Sequence, residues 1–566
     1  MQDRLEDIIR IRKDKIKDLT EKGIEAYPSR TNRTHANGEV LGSFADLLDS
    51  EITIVGRIRG QRDMGKILFA HIEDDTARIQ VLLKDEFVSE EQLKFFKKHF
   101  DVGDFAEFTG TLFETKTGEK TLQVKSFRML AKSILPLPSE QFGIEDTELR
   151  LRKRYLDILL NPEVKEIFVK KNKFWQGFRT FLEERGFLEV EMPILEGIPG
   201  GAEAEPFITH HNALDRDFYL RISLELPLKK MLVAGYEKVF EIGRIFRNEG
   251  ISTEHLQDYT QMEFYWAYAD FEKLLQMWQE MYQYVIQETF GTLTITARGQ
   301  EVDWSGKWPR VSYVEVFKEH TGIDLLSCSD EDLREYATSK GIQYEDFAQR
   351  GRLMDVIFKK IRGKIPGSKP FFLIDQPIEL EPLAKKSPTD PRLVQRAQLV
   401  AYGTELGKGF GELNDPIDQR ERFAAQGSLR EAGDNEAQMF DEGYVEAMEY
   451  GMPPAAGFGV SERLFAVLLD KSVRETQIFP LMKEEKNTSA KNEKVTPIAV
   501  AIINKGAGLL PWQELNTVAH LNAAYGARLG KRLFFEDSVK TKDGTVIGMN
   551  TSHAIIIKTA PNTESL

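Results

Sequence analysis

The chain has 566 residues, enough for three or four domains with a sizeable core. Its 90 acidic residues outnumber 76 basic ones, and the net charge of -14 argues against a protein that coats nucleic acid non-specifically, although a local basic patch stays compatible with it. Cys328 is the only cysteine, so one chain can form neither a disulfide framework nor a cysteine-based zinc site. The N-terminus has acidic residues throughout and no apolar core segment, unlike a signal peptide, and no apolar run approaches membrane-spanning length, so we expect a cytoplasmic protein.

The first 132 residues predict a helix followed by a small barrel. Residues 3–23 carry apolar residues at helical spacing among dense charge, which predicts an exposed amphipathic helix that ends at Gly23. Five strand-like segments with Gly-containing turns follow between about 50 and 132: ITIVGRIRGQRD, KILFAHIED, ARIQVLLKD, FAEFTGTLFET and TLQVKSFRML. This pattern predicts a closed barrel of the OB type.

The rest of the chain predicts an α+β domain and a separate small unit. LPLPSE is a proline-marked linker, and helix and strand patterns then alternate irregularly to about residue 482. The polar stretch KEEKNTSAKNEK has the composition of a flexible linker. We therefore divide the chain into five parts: a lead-in (1–49), a barrel (50–134), an α+β domain (135–482), a linker (483–494) and a small C-terminal α/β domain (495–566).

The stretch GRIFRNEGIS, residues 243–252, places arginines and a glutamate on the loop between two predicted strands. YEKVFEI before it and YTQMEFYWAY after it alternate apolar and polar residues, as half-buried strands do. One interpretation is a solvated surface ion pair, which contributes little to stability. The other is a binding site, because converging arginine, glutamate, histidine and aromatic side chains suit a planar base with phosphates.

Three segments resemble, in order, the signature motifs of the class II aminoacyl-tRNA synthetases: GFLEVEMPIL, FRNEGISTEH with YTQMEFY, and GFGVSERL. Within that class, IPGGAEAEPFITHHNALDRDFYLRISLEL and ELGKGFGELNDPIDQRERF are similar to the lysyl enzymes. The resemblance runs from about residue 4 to 482. It implies an OB-fold anticodon-binding domain, a catalytic domain on an antiparallel sheet with flanking helices, and a ligase that uses ATP to join L-lysine to tRNA(Lys).

The resemblance implies an ATP site on the charged loop. Amino-acid activation is an in-line attack of a carboxylate on the α-phosphate of ATP, which needs positioning and charge neutralisation but no general base. Arg247 and Arg463 match the catalytic arginines of motifs 2 and 3. By the same match, Glu249 would hold the adenine amino group, His255 would lie near the distal phosphates, and Tyr259 would stack on adenine opposite Arg463.

Glu405 and Glu412 in TELGKGFGELND match the family's metal-binding carboxylates, which implies Mg²⁺. They lie seven residues apart, so a bend at the intervening glycines would be needed to bring both to one face of a strand. Without the resemblance, a solvated surface is the simpler interpretation of two nearby glutamates.

A pocket for lysine must offer carboxylates to its ammonium groups. Glu225 in SLELPL and Glu263 in QMEFY lie on apolar segments that we expect to be buried strands, where an unpaired glutamate is costly. In the lysyl family these positions bind the amino groups of the substrate. The resemblance adds four residues to the lysine site: Gly201, Arg221, Tyr265 and Asn414. The alternative is that each glutamate pairs with a structural arginine or lysine.

In the barrel, Arg62, Phe69 and Gln80 match positions that the family uses to recognise the central uridine of the anticodon. An unpaired base would stack on Phe69 while Gln80 reads its edge. The alternative is that Phe69 is simply a core residue.

The sequence departs from the family pattern in motif 3, where GFGVSER is one residue short at Ser461. Glu205 also stands where an arginine is common. Two rival functions are a catalytically silent paralogue that only binds lysine or tRNA, and an aspartyl or asparaginyl enzyme. The retained arginines and carboxylates oppose the first, and two buried glutamates oppose the second. A ligase that lysylates a protein would be expected to lack the barrel.

Two further expectations concern assembly and the last segment. Motif 1 forms the subunit interface in this class, and the preceding helix has an apolar face with Trp175 and Phe178, so we expect a homodimer.

In residues 495–566, PIAVAIIN and HAIIIK predict strands and PWQELNTVAHLNAAYGARLG predicts a helix, together a βαβ-like unit. This unit weakly resembles small domains related to type 2 peptidyl-tRNA hydrolases. It offers no catalytic constellation.

Overall fold

The computed structural model describes residues 2–138, 144–250, 252, 254–345, 348–365 and 367–483, and beyond these the backbone of six strands between 498 and 558. The chain divides into two compact units, Met1–Leu481 and Met482–Leu566. Among the helices described, none is long and apolar enough to cross a lipid bilayer.

The first unit begins with helices α1 and α2 and a five-stranded barrel. The elements are α1 Gln2–Glu21, α2 Asn37–Gly42, β1 Glu51–Asp63, β2 Ile67–Glu73, β3 Arg78–Lys84, α3 Asp85–Val88, α4 Glu90–His99, β4 Phe105–Glu114 and β5 Lys120–Ala131. The barrel closes in the order β1-β2-β3-β5-β4. This confirms the predicted OB-type barrel, and α1 ends before Gly23, whose φ of 70° few other residues adopt.

Alternation along the strands gives the barrel one core. Leu68, Ala70 and Ile72 on β2 are buried inside, while the residues between them point outward. Helix α1 is attached through Arg12, whose guanidinium donates to the carbonyl oxygens of Val102, Ser133 and Leu135 at 3.0 to 3.1 Å. The barrel therefore presents an outward face made of alternate strand residues.

The second part of this unit is an α+β domain. Its helices are α5 Thr147–Arg152, α6 Arg154–Leu160, α7 Pro162–Glu183, α8 Glu225–Val233, α9 Phe271–Phe290, α10 Tyr313–Thr321, α11 Asp330–Ser339, α12 Arg350–Arg362, α13 Pro416–Glu431, α14 Glu442–Glu449 and α15 Arg463–Leu468, with a 3-10 turn at Ile378–Leu380. Its strands are β6 Leu188–Glu189, β7 Leu195–Glu196, β8 Ile208–His211, β9 Arg216–Leu220, β10 Lys238–Phe246, β11 Asp258–Ala267, β12 Thr294–Ala297, β13 Gln300–Asp303, β14 Arg310–Ser312, β15 Phe371–Ile374, β16 Gln376–Pro377, β17 Leu393–Val394, β18 Arg396–Ala401, β19 Thr404–Gly411 and β20 Ala455–Ser461.

The domain is built on an eight-stranded sheet in the order β14-β15-β18-β19-β20-β11-β10-β6. All neighbours are antiparallel except the edge pairs β14–β15 and β6–β10, which are parallel. The predicted antiparallel sheet with flanking helices is thus confirmed, and a parallel strand pair at each edge makes the sheet a mixed one. Strands β10 and β11 form the predicted hairpin around the charged loop.

The two faces of this sheet differ because strand residues alternate between them. Phe240, Phe264 and Phe458 are neighbours on β10, β11 and β20, and they pack with Trp278 and Tyr282 of α9 in the largest apolar core. The intervening residues on the same strands point to the other face. Polar residues and glycines on that face are therefore free to form a site.

Helix α7 contributes its apolar side to the same core, which corrects one sequence argument. Phe178 is fully buried and Trp175 packs partly buried against the core. Phe178 is therefore not available on the surface for a subunit interface, and Trp175 is available only in part. The apolar spacing of α7 is explained by packing inside its own chain, so it gives no reason to expect a dimer.

The second unit is described only as strands. They are β21 Ile498–Asn504, β22 Gly508–Leu509, β23 Gln513–Leu515, β24 Ser538–Thr541, β25 Gly544–Asn550 and β26 His553–Lys558. The two predicted strands are confirmed, but β21 and β26 pair antiparallel, so they do not form the parallel pair of a βαβ unit. The start of the predicted helix is also wrong, since Gln513–Leu515 pairs with β21. The rest of that helix prediction lies outside the described residues.

Candidate functional site

A polar cavity of about 250 Å³ opens on the face of the sheet opposite the aromatic core. Its floor is a row of directly paired residues: Lys408 on β19, Gly459 on β20 and Glu263 on β11. Neighbouring strands are about 4.8 Å apart, so Lys408 and Glu263 face each other across a glycine with no side chain between them. The row therefore leaves room for a ligand between a cation and a carboxylate.

Gly457 makes the second part of this floor. A Cβ atom at this position would lie 2.0 Å from Oε1 of Glu412 and 2.4 Å from Cε1 of Tyr265. Strand β20 keeps unbroken register with β11 from Ala455 to Ser461. The shortened motif 3 thus retains a regular strand with its glycines on the cavity side.

Glu263 is the buried carboxylate at the centre of the cavity wall. Its Oε1 accepts hydrogen bonds from the hydroxyl of Ser223 at 2.7 Å, from the backbone N–H of Leu224 at 3.0 Å and from the amide of Gln261. Its Oε2 accepts from the hydroxyl of Tyr265 at 2.8 Å. No ion pair joins Glu263 to a lysine, arginine or histidine among the residues that the structure describes. Neutral donors fix this carboxylate, and its charge has no internal counter-ion.

Glu225 has a different environment, and the prediction that it lies on a strand is wrong. It begins helix α8, where the apolar SLELPL pattern reflects burial of a short helix with Pro227 in its first turn. Lys229, one turn later, donates to Oε1 of Glu225 at 2.6 Å and forms a second ion pair with Glu412. Burial raises the pKa of Glu225, although Lys229 acts against the rise. Glu225 therefore pairs with a structural lysine, which is the alternative that the sequence left open for each glutamate.

The cavity also contains an ion pair that the sequence analysis missed. Lys408 donates to Glu381 at 2.9 Å, and Nε of Arg396 lies 3.6 Å from the same carboxylate. Burial acts to raise the pKa of Glu381, but these two cations outweigh it and the net shift is downward. Strict alternation would put Lys408 on the face opposite Glu405. The pairing of β18 with β19 shifts register between Gln398 and Val400, which lie opposite Lys408 and Glu405. With this shift, Lys408 and Glu405 both line the cavity.

A smaller cavity of about 30 Å³ adjoins the first and shares Arg247, Tyr259 and Arg463 with it. The guanidinium of Arg247 lies 5.8 Å from the ring centroid of Tyr259. Nε of Arg463 is buried and has no hydrogen-bond partner among the described residues. Glu249 and His255 also line this smaller cavity. Arg247 at the charged loop, Tyr259 on β11 and Arg463 at the start of α15 thus lie around one cavity, as the sequence predicted.

Three predicted site residues do not line either cavity. Arg221 is buried in an ion pair with Glu241 at 2.7 Å and donates to the carbonyl oxygen of Met192 at 3.0 Å. Asn414 accepts from Lys385 and donates to the carbonyl oxygen of Met452 at 3.1 Å. Glu412 lies beneath Gly457, paired with Lys229. Gly201, with a φ of 84°, does line the main cavity and packs against Glu225.

The predicted metal carboxylates differ in how well they fit a cation. Glu405 lines the cavity, accepts from the amide of Gln398 and lies 3.9 Å from Arg362. Glu412 is buried and already paired. The described residues hold no cluster of three or more acidic, histidine or cysteine side chains suited to a metal ion. Glu405 fits a magnesium ion that is coordinated by one protein carboxylate and by phosphate oxygens.

The predicted residues of the barrel lie on one outward face. Arg62 and Phe69 are direct partners on β1 and β2, and Gln80 on β3 is opposite His71, two residues after Phe69. Phe69 is only half-buried, so the interpretation as a plain core residue does not describe it. Gln80 donates to the hydroxyl of Thr121 at 2.8 Å. The face offers a ring, an amide and a guanidinium to an unpaired base.

Comparisons with known proteins agree with this arrangement. Residues 146–483 match the family model of class II tRNA synthetases (D, K and N), and residues 52–130 match that of the OB-fold nucleic acid binding domain. A lysine–tRNA ligase of Pelotomaculum thermopropionicum is 44% identical over 485 residues, which cover 85% of this chain and 95% of the relative. Lysine–tRNA ligases of Carboxydothermus hydrogenoformans and Bacillus subtilis are 43% and 42% identical, each over 85% of this chain and 98% of the relative.

The glycine floor gives a prediction about stability. Gly457→Ala should lower the free energy of unfolding by about 2 kcal/mol or more, because the added methyl group overlaps Glu412 and Tyr265. Gly427→Ala is the matched control, since nothing lies within 4 Å of its Cβ and it occupies helix α13. It should stabilise the protein by about 0.5–1 kcal/mol. Urea unfolding measures both; equal effects would contradict the described floor.

Proposed function

The chain belongs to the lysyl-tRNA synthetases of class II, ligases that activate L-lysine with ATP and charge tRNA(Lys), and from this premise we propose which residues carry each step. The observation that carries the assignment is the carboxylate of Glu263. It is buried, held by four neutral donors and has no counter-ion among the described residues. A buried, uncompensated carboxylate is costly, and an ammonium group of lysine would offset that cost.

The amino-acid substrate would lie on the glycine floor. Its ammonium groups would face Glu263 and Glu225, and Tyr265 would hold the orientation of Glu263 through its hydroxyl. Gly201 keeps the wall close to the substrate because any side chain there would collide with Glu225. Arg221 and Asn414 would act from behind the wall, since both are occupied by protein partners.

ATP would occupy the end of the cavity that Arg247 and Arg463 share with the smaller cavity. Tyr259 beside Arg247 offers a ring for adenine, and the unpartnered Nε of Arg463 offers a donor. Glu249 would receive the adenine amino group, and His255 would lie near the distal phosphates. In this arrangement Arg247 neutralises charge that develops on the α-phosphate as the lysine carboxylate attacks.

Mg²⁺ is the proposed metal, and it would neutralise the phosphates of bound ATP. Glu405 would hold it together with phosphate oxygens, which agrees with the preference of Mg²⁺ for few protein ligands. Glu412 remains a predicted ligand that would have to leave Lys229. We propose that its position beneath Gly457 makes it the weaker of the two.

The barrel is proposed to recognise the anticodon of tRNA(Lys). Phe69 would stack on an unpaired base while Arg62 contacts its backbone and Gln80 its edge. A shared outward position on three neighbouring strands supports this role.

A homodimer is proposed on different residues from those that the sequence suggested. Large apolar side chains are exposed near motif 1, on strands β6 to β8 and the loops beside them: Leu188, Ile194, Leu195, Ile198, Ile208 and Leu214. A cluster of this kind commonly marks an interaction surface. We also propose that the enzyme works in the cytoplasm, where its tRNA is found.

Two rival functions fit less well. A catalytically silent paralogue would not need the unpartnered Arg463 or the carboxylates that line the cavity. An enzyme for aspartate would need a cation for the substrate side chain. Lys408 and Arg396 lie nearby, but both are engaged by Glu381.

The lysine site is tested by Glu263→Gln in ATP–pyrophosphate exchange. The wild type should exchange with L-lysine and not with aspartate or asparagine. The variant should raise KM for lysine about 30-fold or more, because a buried ammonium loses its charged partner, and leave KM for ATP within about threefold.

Glu301→Gln, the same change at an exposed position on β13, is the control and should alter neither constant. Equal exchange with aspartate, or an unchanged KM for lysine in Glu263→Gln, would refute the assignment.

The barrel is tested separately by Phe69→Ala. Loss of stacking should weaken charging of tRNA(Lys) by about tenfold, since one base stacked on an aromatic ring contributes about 1–3 kcal/mol. Exchange without tRNA should stay unchanged. Phe87→Ala removes another partly exposed ring of the barrel and should leave charging normal; similar losses in both variants would count against specific recognition by Phe69.

A further inference from the structure

Three buried charged side chains at the wall of the main cavity form what we term the ion triad: Glu225, Lys229 and Glu412. Lys229 has no exposed surface and joins both carboxylates, with Glu225 at 2.6 Å. Its Nζ also lies 5.7 Å from the ring centroid of Tyr265 and 5.3 Å from that of Phe410. Lys229 is not part of the cavity lining, whereas Glu225 is.

The two oxygens of Glu225 have unequal surroundings. Oε1 accepts from Lys229, while Oε2 has no hydrogen-bond partner among the described residues. The start of the side chain is also confined, because a Cβ on Gly201 would lie only 2.7 Å from the Cβ of Glu225. Packing and the ion pair together restrict Glu225 to one orientation.

The two carboxyl groups of the triad share one cation. The ammonium of Lys229 lies against Oε1 of Glu225 and against Glu412, and no second cation forms an ion pair with either glutamate among the described residues. Glu412 is sealed beneath Gly457, and the cavity reaches the triad through Glu225. An external cation can therefore complete the triad only at Glu225.

We infer that Lys229 is a positioning residue for amino-acid recognition: it holds Oε1 of Glu225 so that Oε2 faces the cavity and receives an ammonium group of the amino-acid substrate. The inference rests on the proposed role of Glu225 in lysine binding. Lys229 itself does not touch the substrate. If Lys229 served only as a structural counter-ion for Glu412, its removal together with the charge of Glu412 would leave lysine binding intact.

That contrast defines the experiment. Lys229→Met/Glu412→Gln removes both partners of one buried ion pair, so Glu412 is not left without its cation while the support of Glu225 is lost. Calorimetry measures the Kd for L-lysine without ATP or metal, so that any role of Glu412 in metal binding does not enter. We expect about tenfold weaker binding than in the wild type.

The control is Lys230→Met/Asp441→Asn, the corresponding lysine and carboxylate changes in an ion pair of 3.7 Å that includes the next lysine of α8. It should bind lysine as the wild type does. Lys229→Gln/Glu412→Gln keeps a donor at position 229 and should recover part of the affinity. It also serves as the test variant if the methionine version does not fold, and thermal melting monitors folding throughout.

Glu225→Gln separates this inference from the proposed function. If Lys229 acts through Glu225, Lys229→Met/Glu412→Gln should cost no further affinity in the Glu225→Gln background. Additive losses, or normal lysine binding by Lys229→Met/Glu412→Gln, would overturn the positioning role and leave the assignment of Glu225 standing. Unchanged binding in Glu225→Gln alone would instead refute that assignment, and the inference with it.

Discussion

A buried negative charge that the protein does not neutralise by itself is the constraint on which the site depends. Glu263 is fixed by four neutral donors, and in the ion triad two carboxyl groups share one lysine. Isolated buried charges are costly, so a protein retains them only where something else compensates. In the proposed function the substrate would bring the missing cation, and the cost in the free enzyme would become selectivity for a cationic amino acid.

The fold makes this arrangement possible by giving the two faces of one sheet different tasks. Phe240, Phe264 and Phe458 anchor one face to helix α9, so the strands stay fixed without support from the polar face. On that polar face Gly459 leaves space between Glu263 and Lys408, and Gly457 leaves space for the side chains of Glu412 and Tyr265. The same strand row then ends in opposite charges, with Glu263 on one side and Lys408 on the other.

Much of this could be predicted from the sequence where local pattern and chemistry agree. The barrel strands and the hairpin around Arg247 follow from alternation and turn residues, and the structure confirms them. The mainly apolar segment SLELPL predicts a strand for Glu225, but periodicity in so short a segment does not separate a buried helix from a strand. The i,i+4 spacing to Lys229 was the available signal for a helix.

Other features depend on contacts that a single sequence does not reveal. Lys408 reaches the cavity beside a register shift in β18 and β19, which strict alternation misses. Trp175 and Phe178 have the spacing of an interface, but Phe178 is buried against Tyr282 of α9 and Trp175 packs partly buried beside Phe178. The apolar spacing of a helix does not show which surface the helix packs against. The antiparallel pairing of β21 and β26 likewise depends on the connection between them, and strand composition alone suggested a parallel unit.

The most direct test is thermal unfolding of the full chain with L-lysine or with L-norleucine, which has the same carbon chain but no side-chain ammonium. A ligand that binds the folded state raises the melting temperature in proportion to the logarithm of its concentration over Kd. We expect a clear rise with lysine and little or none with norleucine at equal millimolar concentrations. Equal stabilisation by both would show that the buried carboxylates do not recognise the side-chain ammonium of the substrate.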